Sequence, residues 1–528
     1  MAPRASRRKR WIYPVVVLAA VAIAAFGILY SLDRFSAGDG LHPLQYFDFQ
    51  SDKITDAIGS LSSMIAAVLG IIITVVSIIV QLSAERYTQV TEMFFRDRTN
   101  MIVMGFYVIG CMVGIFAAFS LGANGFVPRV TLIAVMVVAL LGFALMAPYF
   151  AYVFDFLQPE NIIMRIRKGA ADAAERGLVT GVRDERDDSQ AASLAGLEQL
   201  TDITINSVSG KDKIIATAGV DALKDLAVNY LKQKRNGNVA WFAIGSRIRA
   251  NPDFVSMSPE SLDDLEERRN WLEFKVLRQY QSIYSESLTQ MRDINYVIAI
   301  DTRYIGEAAI RVGDPEALRL VVKFFNTYMR ATLNAKDVRT AYNVLNQYRQ
   351  LAEAVLRAGW HEKAVELANF LKYYGHLSFS MKLPFVTETV AYDLCALCEV
   401  AHEVQSAAEE RLLDTFLEVD QPEHEGEVHD TGLRGVRKAQ VKLATYYIVK
   451  NAEPLARRIW DDMVHERPER LRSIHEELAG VTSKDFWEII DRGTNFDYLP
   501  PERKEALERF FAWEGAQGAP DVAPKEAI

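Results

Sequence analysis

Cysteine is scarce, with three residues in a chain of 528, so a disulfide scaffold is excluded. A basic excess is missing too: 59 Lys and Arg stand against 68 Asp and Glu, a net charge of −9. Nucleic-acid binding needs the opposite balance, and no nucleic-acid partner is expected. The chain has no GxxxxGK[ST] loop, no strand followed by GxGxxG, no HExxH and no GxSxG. Phosphate, dinucleotide, zinc-protease and serine-hydrolase chemistry lose their usual carriers, so neither enzyme activity nor a cofactor is expected. The most informative absence is of charge from long apolar runs. Residues 1–155 hold only 11 basic and 9 acidic side chains, leaving 48 and 59 for residues 156–528.

Four runs lack Asp, Glu, Lys, Arg and His: Trp11 to Leu32, Ile58 to Leu82, Met101 to Leu121, and Val130 to about Phe150. At ~1.5 Å per helical residue each covers the roughly 30 Å hydrocarbon core. The Arg4 to Arg10 leader, the Arg86, Arg96 and Arg98 loop, and Arg165, Arg167 and Lys168 fall on one side. Retention of Lys and Arg inside the cell makes that side cytoplasmic, which predicts a multi-pass protein of the bacterial inner membrane with both termini inside. Arg165 to Lys168 also suits anionic headgroups. The first run is too long for a cleaved signal core of ~7–15 residues and reads as a retained helix.

In the second run Ser60, Ser63, Ala67, Gly70, Thr74, Ser77 and Gln81 recur at spacings of three and four, one stripe of a helix. Lipid gives helices no hydrophobic reason to associate, so such a stripe marks close packing, and a homo-oligomer is expected. The competing reading is a water-lined conduit, an oligomeric ion channel opened by tension among other stimuli. The third run carries Gly110-Cys111-Met112-Val113-Gly114, a GxxxG pattern for close helix contact. Cys111 there reads as a small packing residue. No Asp, Glu, Lys, Arg or His sits inside a run, which argues against proton-coupled or charged-substrate transport.

Beyond Gln158-Pro159 amphipathic periodicity takes over, broken near Arg183 to Asp188, at Asn236-Gly237-Asn238 and across Glu418 to Gly432. The fold class is therefore all-α: a four-helix transmembrane bundle followed by a large cytoplasmic α-helical domain. The parts are a basic leader (1–10), a membrane domain (11–155), a helical domain (156–417), an acidic linker (418–432), C-terminal hairpins (433–514) and a disordered tail (515–528). Leu351-Ala352 to Leu371 aligns with Leu443-Ala444 to Met463 at an offset of 92, pairing Ala352 with Ala444, Gly359 with Asn451, Ala364 with Ala456 and Leu367 with Ile459. Small residues permit close crossing, Gly or Asn accepts a left-handed turn, and Pro468 ends the second unit, as in tetratricopeptide-like hairpins; a generic helix pair would match too. Stacked hairpins would offer a groove to a cytoplasmic protein partner.

Cys395, Cys398 and His402 fall on one face of a helix at i, i+3 and i+7 and would offer Zn²⁺ three ligands, with His424 or His429 as a fourth. No second CxxC or HxxxH accompanies them, so two cysteines packed in a helical core is the preferred reading. Trp241-Phe242, Phe324-Phe325 and Phe510-Phe511 read as core.

Thr74 to Ser83, then Tyr87-Thr88 and Phe95-Arg96-Asp97-Arg98, resemble a bacterial family of predicted membrane proteins catalogued only as a domain of unknown function. A fainter echo follows at Asp202-Ile203, Ser209-Gly210-Lys211-Asp212 and Thr217-Ala218. The family has Ser-Pro-Arg where this chain reads Thr88-Gln89-Val90, and prolines in the second motif that are absent here. The likeness covers about residues 10–230 and implies a multi-pass inner-membrane protein without an assigned activity.

Overall fold

The computed structural model describes residues 24, 28, 51–84, 90–120, 129–420, 434–463, 466–486, 491–493 and 495–516. The leader, most of the first run, Tyr87-Thr88, His424, His429, most of the acidic linker and nearly all of the tail lie outside these residues. Among the described residues there are 20 α-helices, two short 3-10 helices and no strand, so the all-α reading holds. Contacts divide the chain into two compact units, Met1–Arg165 and Ile166–Ile528.

The first unit contains α1 (Ser51–Ala84), α2 (Val90–Phe95), α3 (Arg98–Ser120) and α4 (Arg129–Phe156). Three stretches are long and apolar enough to cross a membrane: Gly59–Gln81, Arg98–Ala117 and Val130–Phe156. The expected four-helix transmembrane bundle is thus corrected to three described spans, the first run lying outside them except for Ala24 and Ile28, both helical. α1, α3 and α4 pack mutually. Their cores come from one face of each, such as Ile65, Ile72 and Val76 on α1, Tyr107 on α3, and Val135 and Val153 on α4. Large apolar side chains such as Ile71, Ile102, Phe116 and Leu140 stay exposed, an arrangement that suits lipid as the solvent. α4 runs six residues past the expected Phe150 and accommodates Pro148.

The second unit begins within α5 (Pro159–Val179) and continues through α6 (Arg183–Ser209), α7 (Lys213–Lys234), the short α8 (Ser246–Arg249) and α9 (Pro259–Glu267). The expected break at Arg183 to Asp188 is the first turn of α6, where Asp184 and Glu185 favourably meet the positive end of the helix dipole. Next come α10 (Trp271–Gln290), α11 (Arg292–Val312), α12 (Pro315–Asn334), α13 (Val338–Arg357), α14 (His361–Ser380), α15 (Pro384–Glu403) and α16 (Glu409–Leu417). The unit ends with α17 (Arg434–Val449), α18 (Glu453–Met463), α19 (Pro468–Gly480) and α20 (Pro501–Ala516).

Four consecutive helices, α12 to α15, are each 20 residues long and start 23 residues apart, at Pro315, Val338, His361 and Pro384. The offset of 92 between the two similar segments is four such steps, and α18 starts 92 residues after α14. One turn chemistry recurs. Lys211, Arg269, Gly313, Lys336, Gly359, Lys382, Gln405 and Asn451 all sit at positive φ. The following amide reaches back over the helix end: Asp314 N to Ala309 O at 2.9 Å, Trp360 N to Val355 O at 3.2 Å, Ala452 N to Tyr447 O at 2.8 Å. These are Schellman closures that satisfy the last carbonyls of each helix. Asp212, Asp314 and Asp337 then cap the next helix through their side chains. Gly359 and Asn451 thus do what their alignment predicts, and the aligned pairs Ala352 with Ala444 and Ala364 with Ala456 are fully buried. Pro468, expected as a terminator, starts α19 instead.

Such tight turns set neighbours antiparallel and divide the helices into two layers. α7, α11, α13, α15 and α17 pack successively along their lengths, whereas α12 and α14 barely touch in the other layer. α7, α11, α13, α15 and α17 form the inner, more closely packed layer.

Asp301 on α11 is buried, its carboxylate 3.5 Å from Lys224 Nζ and 3.5 Å from the Tyr280 hydroxyl. Burial pushes its pKa up to about 7, with Lys224 opposing and Asp221 reinforcing the shift. The folded chain therefore holds this proton over a pH range where the unfolded chain, ordinary near pH 4, has lost it. Its contribution to stability is present at low pH and is lost as pH rises to about 7. Asp301→Asn should flatten that segment of a stability–pH curve and raise the melting temperature at pH 8. An unchanged profile between pH 4 and 7 would contradict the assignment.

Candidate functional site

The stripe on α1 has a direction that its sequence leaves open. Ser60, Ser63, Ala67, Gly70, Thr74, Ser77 and Gln81 are all exposed. The residues α1 turns toward the other two spans are Ile65, Val68, Ile72, Val76 and Val80, each at most 5% exposed. A Cβ placed on Gly70 would meet nothing within 4 Å. Thr74 returns its hydroxyl to Gly70 O at 2.9 Å, so its polarity is largely spent within the helix.

Contact within the unit falls instead to the GxxxG pair on α3. A Cβ on Gly114 would stand 2.5 Å from Ser62 Oγ, and one on Gly110 would stand 2.9 Å from Val138 Cγ1 and 3.6 Å from Ile65 Cγ2. The two glycines let α3 approach α1 and α4 together. Tyr107 ties α3 to α4 by donating to Gly142 O at 2.7 Å. Cys111, between the glycines, is half-buried.

Asp97, from the Phe95-Arg96-Asp97-Arg98 motif, caps α3 by accepting from the Thr99 and Asn100 amides at 2.9 and 3.4 Å. The same carboxylate accepts a short bond from the Tyr152 hydroxyl and lies 3.3 Å from Arg165 Nη1. Tyr149 donates to Asn100 Oδ1 at 2.6 Å, and the Arg165 guanidinium lies 4.1 Å from the Phe156 ring centre. Burial opposes the charge on Asp97, but Tyr152, the two amides and Arg165 outweigh it and hold the carboxyl below its ordinary range. The cluster joins the start of α3 to the end of α4, which explains a charged motif beside a span. Tyr149, Tyr152 and Asn100 escape the sequence reading. Two tyrosines three residues apart near the end of an apolar run were the available signal.

Cys395 and Cys398 are buried on α15, and burial pushes both thiols far above their ordinary pKa. His402 turns its Nδ1 to Glu409 at 2.7 Å and lies edge-on to Tyr446 and Tyr447. Among the described residues no group of three or more His, Cys, Asp or Glu side chains is placed to hold a metal. Trp241, Phe242, Phe324, Phe325 and Phe510 are buried, as core residues should be, whereas Phe511 is half-buried.

Among the described residues, which hold helices and no strand, three helices long and apolar enough to cross a membrane, packed through close glycine contacts, mark a membrane protein by length and composition. Residues 7–237 match the model of a family described as "predicted membrane protein (DUF2254)", of unknown function, in agreement with the resemblance carried by Thr74 to Arg98. No curated protein matches the chain. Among solved structures, a "circular tandem repeat protein with novel repeat topology and enhanced subunit contact surfaces" aligns at 12% identity and a TM-score of 0.33, covering 88% of this chain and 95% of that one.

Proposed function

We propose that this protein is anchored in the bacterial inner membrane by its spans, self-associates through the α1 stripe, and uses the helical array to dock a cytoplasmic protein partner. Both termini lie inside the cell in this reading, following the distribution of Lys and Arg. No reaction and no cofactor are assigned to it. The observation that carries the reading is the outward direction of the stripe. Seven small or polar residues, all exposed, line one face of an apolar helix whose opposite face is already satisfied within the unit. In hydrocarbon such a face gains from close contact with a second copy, where small side chains bring backbones together and hydroxyls find partners.

The test is the mass of the detergent-solubilised full chain. Gly70→Leu should convert oligomer to monomer while leaving the amount of folded protein near wild type. Cysteines at Gly70 and Ser77 should cross-link between copies. Cross-links only within the chain, to residues 11–32, would assign the stripe to the first run and refute self-association. The same outward stripe also supports the channel reading. There Thr74→Lys alters conductance in an intact oligomer; under packing alone it breaks the oligomer, since a cation at a span centre costs ~3 kcal/mol.

A further inference from the structure

The inner layer of the array is already occupied. Between α19 and α20, the described residues 491–493 and 495–497 cross α13, α15 and α17, held by their side chains. Arg492 donates to Asp393 on α15, its Nη2 at 3.1 Å, and to Tyr342 O on α13 at 2.7 Å, with its guanidinium 4.3 Å from the Tyr342 ring centre. Phe496 stacks on Tyr392 with ring centres 4.6 Å apart and an interplanar angle of 14°. Asp497 lies 2.8 Å from Lys438 Nζ on α17 and accepts from the Tyr392 hydroxyl. Lys442 donates to Phe496 O at 2.6 Å. Gly493, at φ +69, supplies the bend between the Arg492 and Phe496 subsites. Among the described residues no backbone-to-backbone bond joins 491–500 to α13, α15 or α17.

The three subsites have chemistry of their own. Asp393 is 1% exposed and has one cation from the array itself, Arg349 on α13, whose guanidinium is shared with Glu353. Burial raises the Glu353 pKa despite that pairing. The subsite is thus an anionic hole that a second guanidinium completes. The middle subsite is an aromatic wall. At the third, Lys438 is buried and Lys442 half-buried; Lys438 lies 3.5 Å from Glu388 and 3.1 Å from Glu477 as well as 2.8 Å from Asp497, and burial lowers the Lys442 pKa. Cation, aromatic ring and carboxylate, in that order, are what this surface recognises.

We infer that the inner face of the array is a peptide-binding groove, that residues 491–497 are its resident pseudo-ligand, and that the docking partner carries an Arg, an aromatic residue four positions later and an adjacent Asp or Glu. The inference rests on the partner-docking reading and specifies its ligand. A tethered segment competes at an effective concentration on the order of millimolar, so the free groove binds a partner peptide far more tightly than the covered one.

The test uses the full chain in detergent and a fluorescent synthetic peptide of residues 491–501. Arg492→Ala combined with Phe496→Ala should bind this peptide at least tenfold more tightly than the wild type. The same peptide with Ala at both positions should bind at least tenfold more weakly to that variant. A double variant that melts like the wild type yet gains no affinity overturns the proposal. Hydrogen exchange on the wild-type chain decides the matter if the variant does not fold. Millimolar peptide should speed exchange at amides 495–499 and spare α17, and unchanged exchange overturns the proposal. Peptide binding without any cellular partner would defeat the docking reading alone, whereas a partner cross-linked elsewhere on the array with no peptide binding would defeat the groove alone.

Discussion

Trp241→Ala is expected to cost the C-terminal unit about 3–5 kcal/mol, the usual range for emptying a buried aromatic site. Trp241 is fully buried and sits in a 3-10 turn between α7 and α8. Its Nε1 donates to the Tyr230 hydroxyl at 3.0 Å, and its carbonyl accepts from Gln190 Nε2 at 2.9 Å and Trp271 Nε1 at 3.1 Å. The ring lies against Gly177 on α5, where a Cβ would stand 2.0 Å from Cζ3. Truncation leaves the Tyr230 hydroxyl without its donor as well as a cavity, and α5, α7 and α10 cannot all collapse into the space at once. Gly177→Ala attacks the same contact from the other side by overpacking, which typically costs ~1–3 kcal/mol. Chemical denaturation of the full chain, followed by circular dichroism, measures both. A loss below about 1 kcal/mol for Trp241→Ala would mean that the hub is not structural.

Within the membrane the larger effect belongs to Gly114→Leu. The leucine would have to displace Ser62 on α1, whose Oγ lies 2.5 Å from the Cβ position, and α1 would be pushed off α3. Folded protein recovered from membranes should fall severalfold, and the remainder should aggregate at lower temperature in a fluorescence-detected sizing experiment. Gly105→Leu on the same helix meets nothing within 4 Å and should behave as wild type. Equal behaviour of the two variants would refute the packing role of the glycine pair. Under the proposed self-association Gly70→Leu provides the complementary case and should alter oligomer mass and not folding.

The spans were legible because an uninterrupted apolar run is a property of the sequence alone. The direction of the stripe was not, since periodicity states that Ser60 to Gln81 share a face without saying what that face meets. The regular spacing of the helices was half legible. An offset of 92 was visible through Gly359 and Asn451, which tolerate positive φ by residue type. The 23-residue step was hidden because Lys336, Lys382 and Gln405 adopt the same conformation with no compositional mark. The charges at Arg183 to Asp188 resembled a loop because the first turn of a helix and a solvated loop favour the same acidic residues. The crossing segment was invisible, because Asp491 to Asp497 has no periodicity and acquires meaning only from Asp393, Tyr392 and Lys438, about 50 to 100 residues away in the chain.

The regular start of helices at Pro315, Val338, His361 and Pro384 gives the array a natural unit of length. Excising residues 338–383, which is 46 residues or one antiparallel pair, would splice Asp337 directly onto Pro384. That junction reproduces Asp314-Pro315, where an aspartate caps a helix whose first residue is proline. Loss of such a pair shortens the array by two helices without inventing a new seam, since the joint it leaves is one the chain already uses at Asp314-Pro315.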